Sequence, residues 1–349
     1  MELDSLARGE FAPQTTYLNT ASTGLLPARA VTAMSEALAA SAAGRPTDMF
    51  ADVEASRAAY ARIVGVPVRR VAAGASVAVY AGLVAASLPE GAEVLLAEAD
   101  FSSVVNPFHM RQDLKVRTTP LERLAEAVRP GTALVAVSAV QSADGRIADL
   151  GAIREAARAH GARTLIDMSQ GAGWYPLDAG AYDYTVAVGF KWLTTPRGVA
   201  FLTVPDDLGG LNPIFAGWVA GEKPWDSCYG PIEELAHCAR RFDESPALFS
   251  YTGARHSLAL VEELGIERIH AHNTALADRF RAGLAPLGHE PVAAPGSAIV
   301  SVPGLGHRQE ELSGAGVELS DRAGNMRASF HLYTAAEDVD RLLELLAAR

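Results

Sequence analysis

Residues 162–203 read ARTLIDMSQGAGWYPLDAGAYDYTVAVGFKWLTTPRGVAFLT. Three apolar runs stand here, at 164–166, 184–188 and 199–204. Each is too short for a helix, and none strictly alternates apolar with polar residues. Strands covered on both faces read this way, as in a parallel sheet between layers of helices. Such a sheet takes its ligands at the carboxyl ends of its strands. The polar residues fall at those ends: Asp167 closes the first run, Gln170 lies three residues on, and Lys191 follows the second.

Helix and strand signals alternate upstream as well. Helical patterns cover 27–44, 51–64, 76–88, 121–128 and 150–160, with strands at 93–97, 115–119 and 132–137. The longest apolar stretch, 71–88, is rich in Ala and Gly and interrupted by Ser76, so it reads as a core helix rather than a membrane span. Beyond Pro205 the pattern changes. Residues 206–246 look irregular, with Trp218, Trp225 and Tyr229 either lining a pocket or packing under the loop. Helices at 251–264, 266–284, 307–313 and 335–348 follow, with strands at 298–302 and 326–330. The expected fold class is α/β: a large domain, 16–245, with a mostly parallel sheet between helices, and a small α+β domain from 1–15 and 246–349.

Composition narrows the function. Of 349 residues, 49% are hydrophobic, enough for a substantial core, and the net charge is −11. No dense Lys/Arg block is present, which argues against nucleic acid or an anionic membrane as partner. Cys228 and Cys238 make neither a disulfide framework nor a zinc signature, and read as free thiols in a reducing compartment. Residues 1–14 lack a basic start followed by an apolar run, so no signal peptide is read and a cytoplasmic location is expected.

A carboxylate, an amide and an amine at the mouth of a parallel sheet suit pyridoxal 5'-phosphate (PLP). The lysine would form the Schiff base, and the acid would keep the pyridine nitrogen protonated. Phe190 and Trp192 flank Lys191 and supply the apolar surroundings that lower an amine's pKa. Alone, Lys191 would read as an ordinary surface lysine. With Asp167 and Gln170 at strand-connection distance, the catalytic reading is the better one.

The chain resembles the class V aminotransferase family of fold-type I PLP enzymes, which includes cysteine desulfurases, selenocysteine lyases, kynureninase and isopenicillin-N-epimerase-like proteins. YLNTASTGLLP (17–27), GASVAVYAGL (74–83), VSAVQSADGRIADL (137–150), IDMSQGAGWYPLD, FKWLTTPRG and MRASFHLYTAAEDVDRLLELL (326–346) carry the resemblance, in the family's order. It implies that Lys191 forms the Schiff base and shuttles the α-proton, Asp167 pairs with the pyridine nitrogen, and Gln170 bonds the ring's phenolic oxygen. Phe101 would stack on the ring, although an aromatic before a helix also reads as core. Ala75, Ser76 and Val77 would meet the phosphate at a helix N-terminus, where unpaired donors favour anions. Arg327 would grip the substrate carboxylate as a bidentate fork, with Asn19 a further candidate for that group. His331 reads as structural.

Departures from the family pattern matter too. Val188, Gly189 and Phe190 stand where Ser and His often precede the lysine, so the phosphate must lean on the helix and other donors. A Gly-Thr pair near the domain junction usually makes the neighbouring subunit's phosphate contact. Here Ser245 takes the threonine's place, with Thr252 a rival, and the contact implies a homodimer. Gln141 stands near a position where desulfurases use asparagine and is kept as a substrate contact. Residues 310–324 hold no cysteine, which disfavours desulfuration through a persulfide. The leading expectation is a PLP enzyme acting at the α-carbon of an amino acid, as a transaminase or C–S lyase, with epimerase third. A non-catalytic PLP-fold scaffold is the reading from another class. A nicotinamide enzyme fails, because no Gly-x-Gly-x-x-Gly follows a first strand.

Overall fold

Short strand β1 (Thr16–Tyr17) precedes seven strands that share one sheet: β2 (Val71–Gly74), β3 (Glu93–Ala97), β4 (Lys115–Thr119), β5 (Thr132–Ser138), β6 (Arg163–Asp167), β7 (Tyr184–Val188) and β8 (Ala200–Thr203). These come from a computed structural model, which describes residues 9–45 and 48–348. The sheet order is β2-β8-β7-β6-β5-β3-β4. The pairs among β7, β6, β5, β3 and β4 are parallel, and β8 runs antiparallel to both its neighbours. Successive residues of one strand enter opposite cores: Leu165 lies in one apolar cluster and Ile166 in the other. Burial on both faces explains the near-continuous apolar strands.

The helix Ser102–His109 and the short strands Thr16–Tyr17, Val317–Glu318 and Ser320–Arg322 were not announced by the sequence pattern, and two expected elements differ from it. The stretch 71–88 splits into β2 and the helix Val77–Ser87, because Ser76 adopts extended backbone and its hydroxyl caps the Val79 N–H. Residues 121–128 form only a short 3₁₀ turn at Leu121–Arg123. Pro120 and Pro130 bound that segment.

A second core gathers around β9 (Ile299–Val302), β10 (Val317–Glu318), β11 (Ser320–Arg322) and β12 (Asn325–Ser329). The order β11-β12-β9 is antiparallel, while β1 joins β10 in a parallel pair. The helix Leu248–Leu264 buries Tyr251, Ala254 and Leu258 in the core of the large sheet, whereas Ile266–Leu284 sends Phe280 and Leu284 into the second core. Gly265, whose φ of 81° suits glycine, joins the two helices, and the chain passes between cores along the second of them, where Ile269 still belongs to the large sheet's core. Between residues 206 and 246 the chain runs through short 3₁₀ turns. Trp218 and Trp225 pack on each other and on Phe50, while Tyr229 is exposed.

The β2 edge is pinned by a buried ion pair. Arg57 donates to both oxygens of Asp243, at 3.1 and 2.6 Å, and to the Val71 carbonyl; Asp243 also accepts from the Ala73 N–H. Removing Asp243 leaves the buried guanidinium only its exposed partner Glu54, to which it also donates at 3.1 and 3.2 Å. Asp243→Ala is therefore expected to destabilise the protein by about 3–5 kcal/mol, read from the midpoint of urea unfolding. A loss below about 1 kcal/mol would contradict this account.

Candidate active site

Three parallel strands end at one cavity of about 360 Å³, and Ser138 of β5, Asp167 of β6 and Val188 of β7 line it. Lys191, Gln170, Phe101, Ser76 and Val77 line it as well. The structure thus brings together residues spread over more than a hundred positions.

Local bonds aim each group. Asp167 Oδ1 accepts from the Ser169 N–H at 2.7 Å, and Ser169 Oγ accepts from the Val188 N–H, tying β6 to β7 beyond their ladder. Gln170 Oε1 accepts from the Trp192 indole at 2.8 Å; its amide nitrogen donates to the Ala21 carbonyl and to Ser142 Oγ. The indole fixes which end of the amide meets the cavity wall. The Lys191 loop is held from two distant segments. The Gly24 N–H donates to the Phe190 carbonyl at 2.9 Å, and His331 Nε2 lies 2.9 Å from the Trp192 carbonyl. Burial pushes the His331 pKa down to about 3, so the ring is neutral, with Nδ1 accepting from Asn273 and Nε2–H donating.

Gly24 is a close-approach glycine. A Cβ at that position would run into the Lys191 carbonyl oxygen. Gly24→Ala must move the lysine loop, and overpacking of this kind costs roughly 1–3 kcal/mol. The expected result is a folded protein with a lower melting temperature and weakened PLP uptake by visible absorbance. Unchanged uptake would show that the loop tolerates the shift.

Electrostatics set the two central groups. Burial lowers the Lys191 pKa to about 8; Asp167 opposes this, while Arg327, Arg197 and Arg322 add to it. Burial raises the Asp167 pKa to about 6 against the pull of Ser169 and Lys191. Both groups thus titrate closer to neutrality than exposed ones. The Lys191 amine stands 5.1 Å from the Phe101 ring centroid, and that ring is 44% exposed, so a face is open to the cavity.

Other expected residues lie outside the cavity lining. Ala75 donates its N–H to Glu244 Oε1 at 2.6 Å, so that donor is already engaged. Gln141 turns away and donates to Asp100 and the Ser138 carbonyl, which leaves it no direct route to a substrate. Ser245 is exposed at the surface, and Thr252 donates to Asp52. Asn19 bridges to Ser329, and its buried Oδ1 has no partner. Cys228 and Cys238 are free thiols and are not among the residues that line the cavity. Arg327, 1% exposed, reaches the wall from behind: it donates to the Ser142 carbonyl and to Ser22 Oγ, and its Nε has no partner. Burial, then the Arg322 charge, lowers its pKa to about 9, still protonated at neutral pH.

Sequence reasoning passed over Ser22, Ser142, Arg197 and Arg322, which all line the cavity. Arg197 carried a signal, since it follows Lys191 by six residues in the stretch first quoted. Arg322 carried none; β11 and β12 bring it to the site beside Arg327.

The donor set fits PLP. A near-neutral amine suits its aldehyde, a buried carboxylate its ring nitrogen, and an open aromatic face its ring. Ser76 and Val77 at the start of an eleven-residue helix suit its phosphate. Among the described residues no His/Cys/Asp/Glu cluster could hold a metal ion, and no helix is long and apolar enough to cross a membrane.

Comparison with known proteins gives a consistent result. The family profile described as aminotransferase class-V matches residues 16–313. Isopenicillin N epimerase of Streptomyces clavuligerus is 30% identical over 98% of this chain and 97% of its own length. An uncharacterised aminotransferase of Bacillus subtilis is 28% identical, over 85% and 83%. Among solved structures, the cystine C-S lyase C-DES in complex with its product cysteine persulfide superposes with a TM-score of 0.86 at 26% identity, covering 96% of this chain and 98% of that one.

Proposed function

The chain belongs to the class-V aminotransferase family of PLP-dependent enzymes, and from that premise we propose that it acts at the α-carbon of an amino acid, by transamination or C–S β-elimination. The observation that carries the reading is Lys191: a buried amine, its pKa near 8, in the same cavity as a buried carboxylate. When bound, the cofactor supplies an electron sink for charge developing at the substrate carbon.

The chain's own residues supply the rest. Lys191 Nζ is the group that takes and returns the α-proton; a pKa near the working pH suits both tasks. Asp167 is mostly ionised at neutral pH and aimed by Ser169, so it would hold a protonated ring nitrogen. Gln170, locked by Trp192, would address the ring's phenolic oxygen by exchanging its bond to Ser142 Oγ for one to the ring, and Phe101 would cover one face. Ser76 and Val77 would hold the phosphate, and Arg327 the substrate carboxylate. The exposed position of Ser245 is compatible with a contact to a second subunit, and we take the protein to be a cytoplasmic homodimer. We also keep the division into a large unit, 16–245, and a small one, 1–15 with 246–349; residues 1–8, 46, 47 and 349 lie outside the described residues.

Epimerisation at the α-carbon is a second reading, favoured by the similarity to isopenicillin N epimerase. It begins with the same proton removal. An amino-acid panel with the PLP-loaded protein separates the outcomes by keto acid with an amino acceptor, by sulfide release, and by loss of optical rotation. Keto acid or sulfide supports the leading reading. Loss of rotation alone overturns it in favour of epimerisation, and no product of any kind overturns both.

A further inference from the structure

Two guanidinium groups share one hydroxyl at the cavity wall. Arg327 Nη2 lies 2.8 Å and Arg322 Nη2 2.9 Å from Ser22 Oγ. A third, Arg197, reaches Thr23 Oγ1 at 3.0 Å and lies 4.1 Å over the Phe190 ring centroid. The bonds these three make go to hydroxyl and carbonyl oxygens, and among the described residues none pairs with a carboxylate. Asp167 is the one acid in the cavity lining. Like charges gathered on a neutral hydroxyl repel, and partial burial weakens the screening that water would give.

One carboxylate satisfies one guanidinium as a bidentate fork. A substrate α-carboxylate on Arg327 therefore leaves two cations uncompensated. Arg327 is buried behind the wall, whereas Arg197 and Arg322 are exposed at the rim, where the far end of a substrate side chain would lie. Phe190, in the position before the lysine, holds the Arg197 plane by a cation–π contact. Its presence there in place of a polar residue thus has a use at the rim.

We infer that the substrate is an amino acid whose side chain carries a second anionic group, a carboxylate or similar oxyanion, bound by Arg322 and Arg197 while Arg327 holds the α-carboxylate. The inference rests on the reading of this cavity as the PLP site.

The test uses the PLP-loaded protein and two unreactive acids of equal length, glutarate and valerate, titrated by calorimetry. Glutarate is expected to bind on the order of tenfold tighter, the effect of one charge-assisted contact. Arg322→Gln and Arg197→Gln should each bring that ratio toward one. A ratio near one in the wild type overturns the inference, as does an unchanged ratio in both variants. Equal weakening of both acids by Arg322→Gln also overturns it, since Arg322 would then share the α-carboxylate. Visible absorbance, recorded first, keeps the two claims apart. A protein that takes up no PLP defeats the reading of the site, whereas a coloured protein with a ratio near one defeats the second-anion inference alone.

Discussion

Replacing Lys191 by alanine is expected to abolish turnover, a loss of about 10⁴-fold or more, the upper range for a positioned acid–base group. The remaining side chains in the cavity are hydroxyls, an amide, aromatic and aliphatic groups, Asp167 and arginines. Arginine stays protonated, and Asp167 is too acidic to hold a proton tightly at neutral pH. No neighbour can take over the α-proton. Steady-state assays on the panel, with circular dichroism to verify the fold, check the expectation. Activity within tenfold of wild type would refute the assignment. Stability should move the other way. An amine with a folded pKa near 8 against 10.5 in the open chain disfavours folding while the proton is on. That burden is complete below pH 8, fades as pH climbs from 8 to 10.5, and is gone above that. Lys191→Met, which keeps the volume, should melt higher than wild type at pH 7 without cofactor, and the gap should close above pH 10.5.

Asp167→Asn is expected to reduce kcat by on the order of 10²–10³, the worth of one preorganised electrostatic group. An amide keeps the shape but cannot hold a proton on the ring nitrogen as a carboxylate does. The same change should stabilise the cofactor-free protein. Folding raises the Asp167 pKa from 3.8 to about 6, so the folded state binds its proton more tightly than the open chain. The fold is penalised wherever that proton is absent: the penalty starts near pH 4, is complete above pH 6, and reaches roughly 3 kcal/mol. Thermal melts of the apo-protein should show the variant ahead above pH 6 and the two converging toward pH 4. A variant that melts lower at pH 7 would mean that the carboxylate is a structural asset, contrary to the burial argument. Reactive groups held at the expense of the fold are a general feature of active sites.

These two residues were readable because Asp167 ends an apolar strand and Lys191 follows another by three residues, where a buried polar group has few structural reasons to stand. The buried strands were readable for the related reason that cover on both faces leaves them nearly all apolar: 93–97 and 184–188 fall where expected, as does the partly exposed edge strand 115–119, KVRTT. Contacts that depend on chain crossings were not. Gln141 looked available until the fold placed Asp100 beside it, and the Ala75 amide until Glu244 came within 2.6 Å. Nothing local to those residues announces a partner 41 or 169 positions away. Arg322 sits on a two-residue-spaced hairpin whose partner strand carries Arg327, and only the register Ser320↔Arg327 reveals that both point toward the same wall. The helix expected at 121–128 shows the opposite failure: its composition favours a helix, but the chain there makes only a 3₁₀ turn.

The loop around Lys191 takes a bond from Gly24 and another from His331, which lies 139 positions beyond its acceptor. Residue 331 must therefore have left the ribosome before both of these bonds can hold the loop. Until then the emerging polypeptide has no finished pocket, and the vitamin-derived aldehyde meets at most an ordinary, fully protonated lysine.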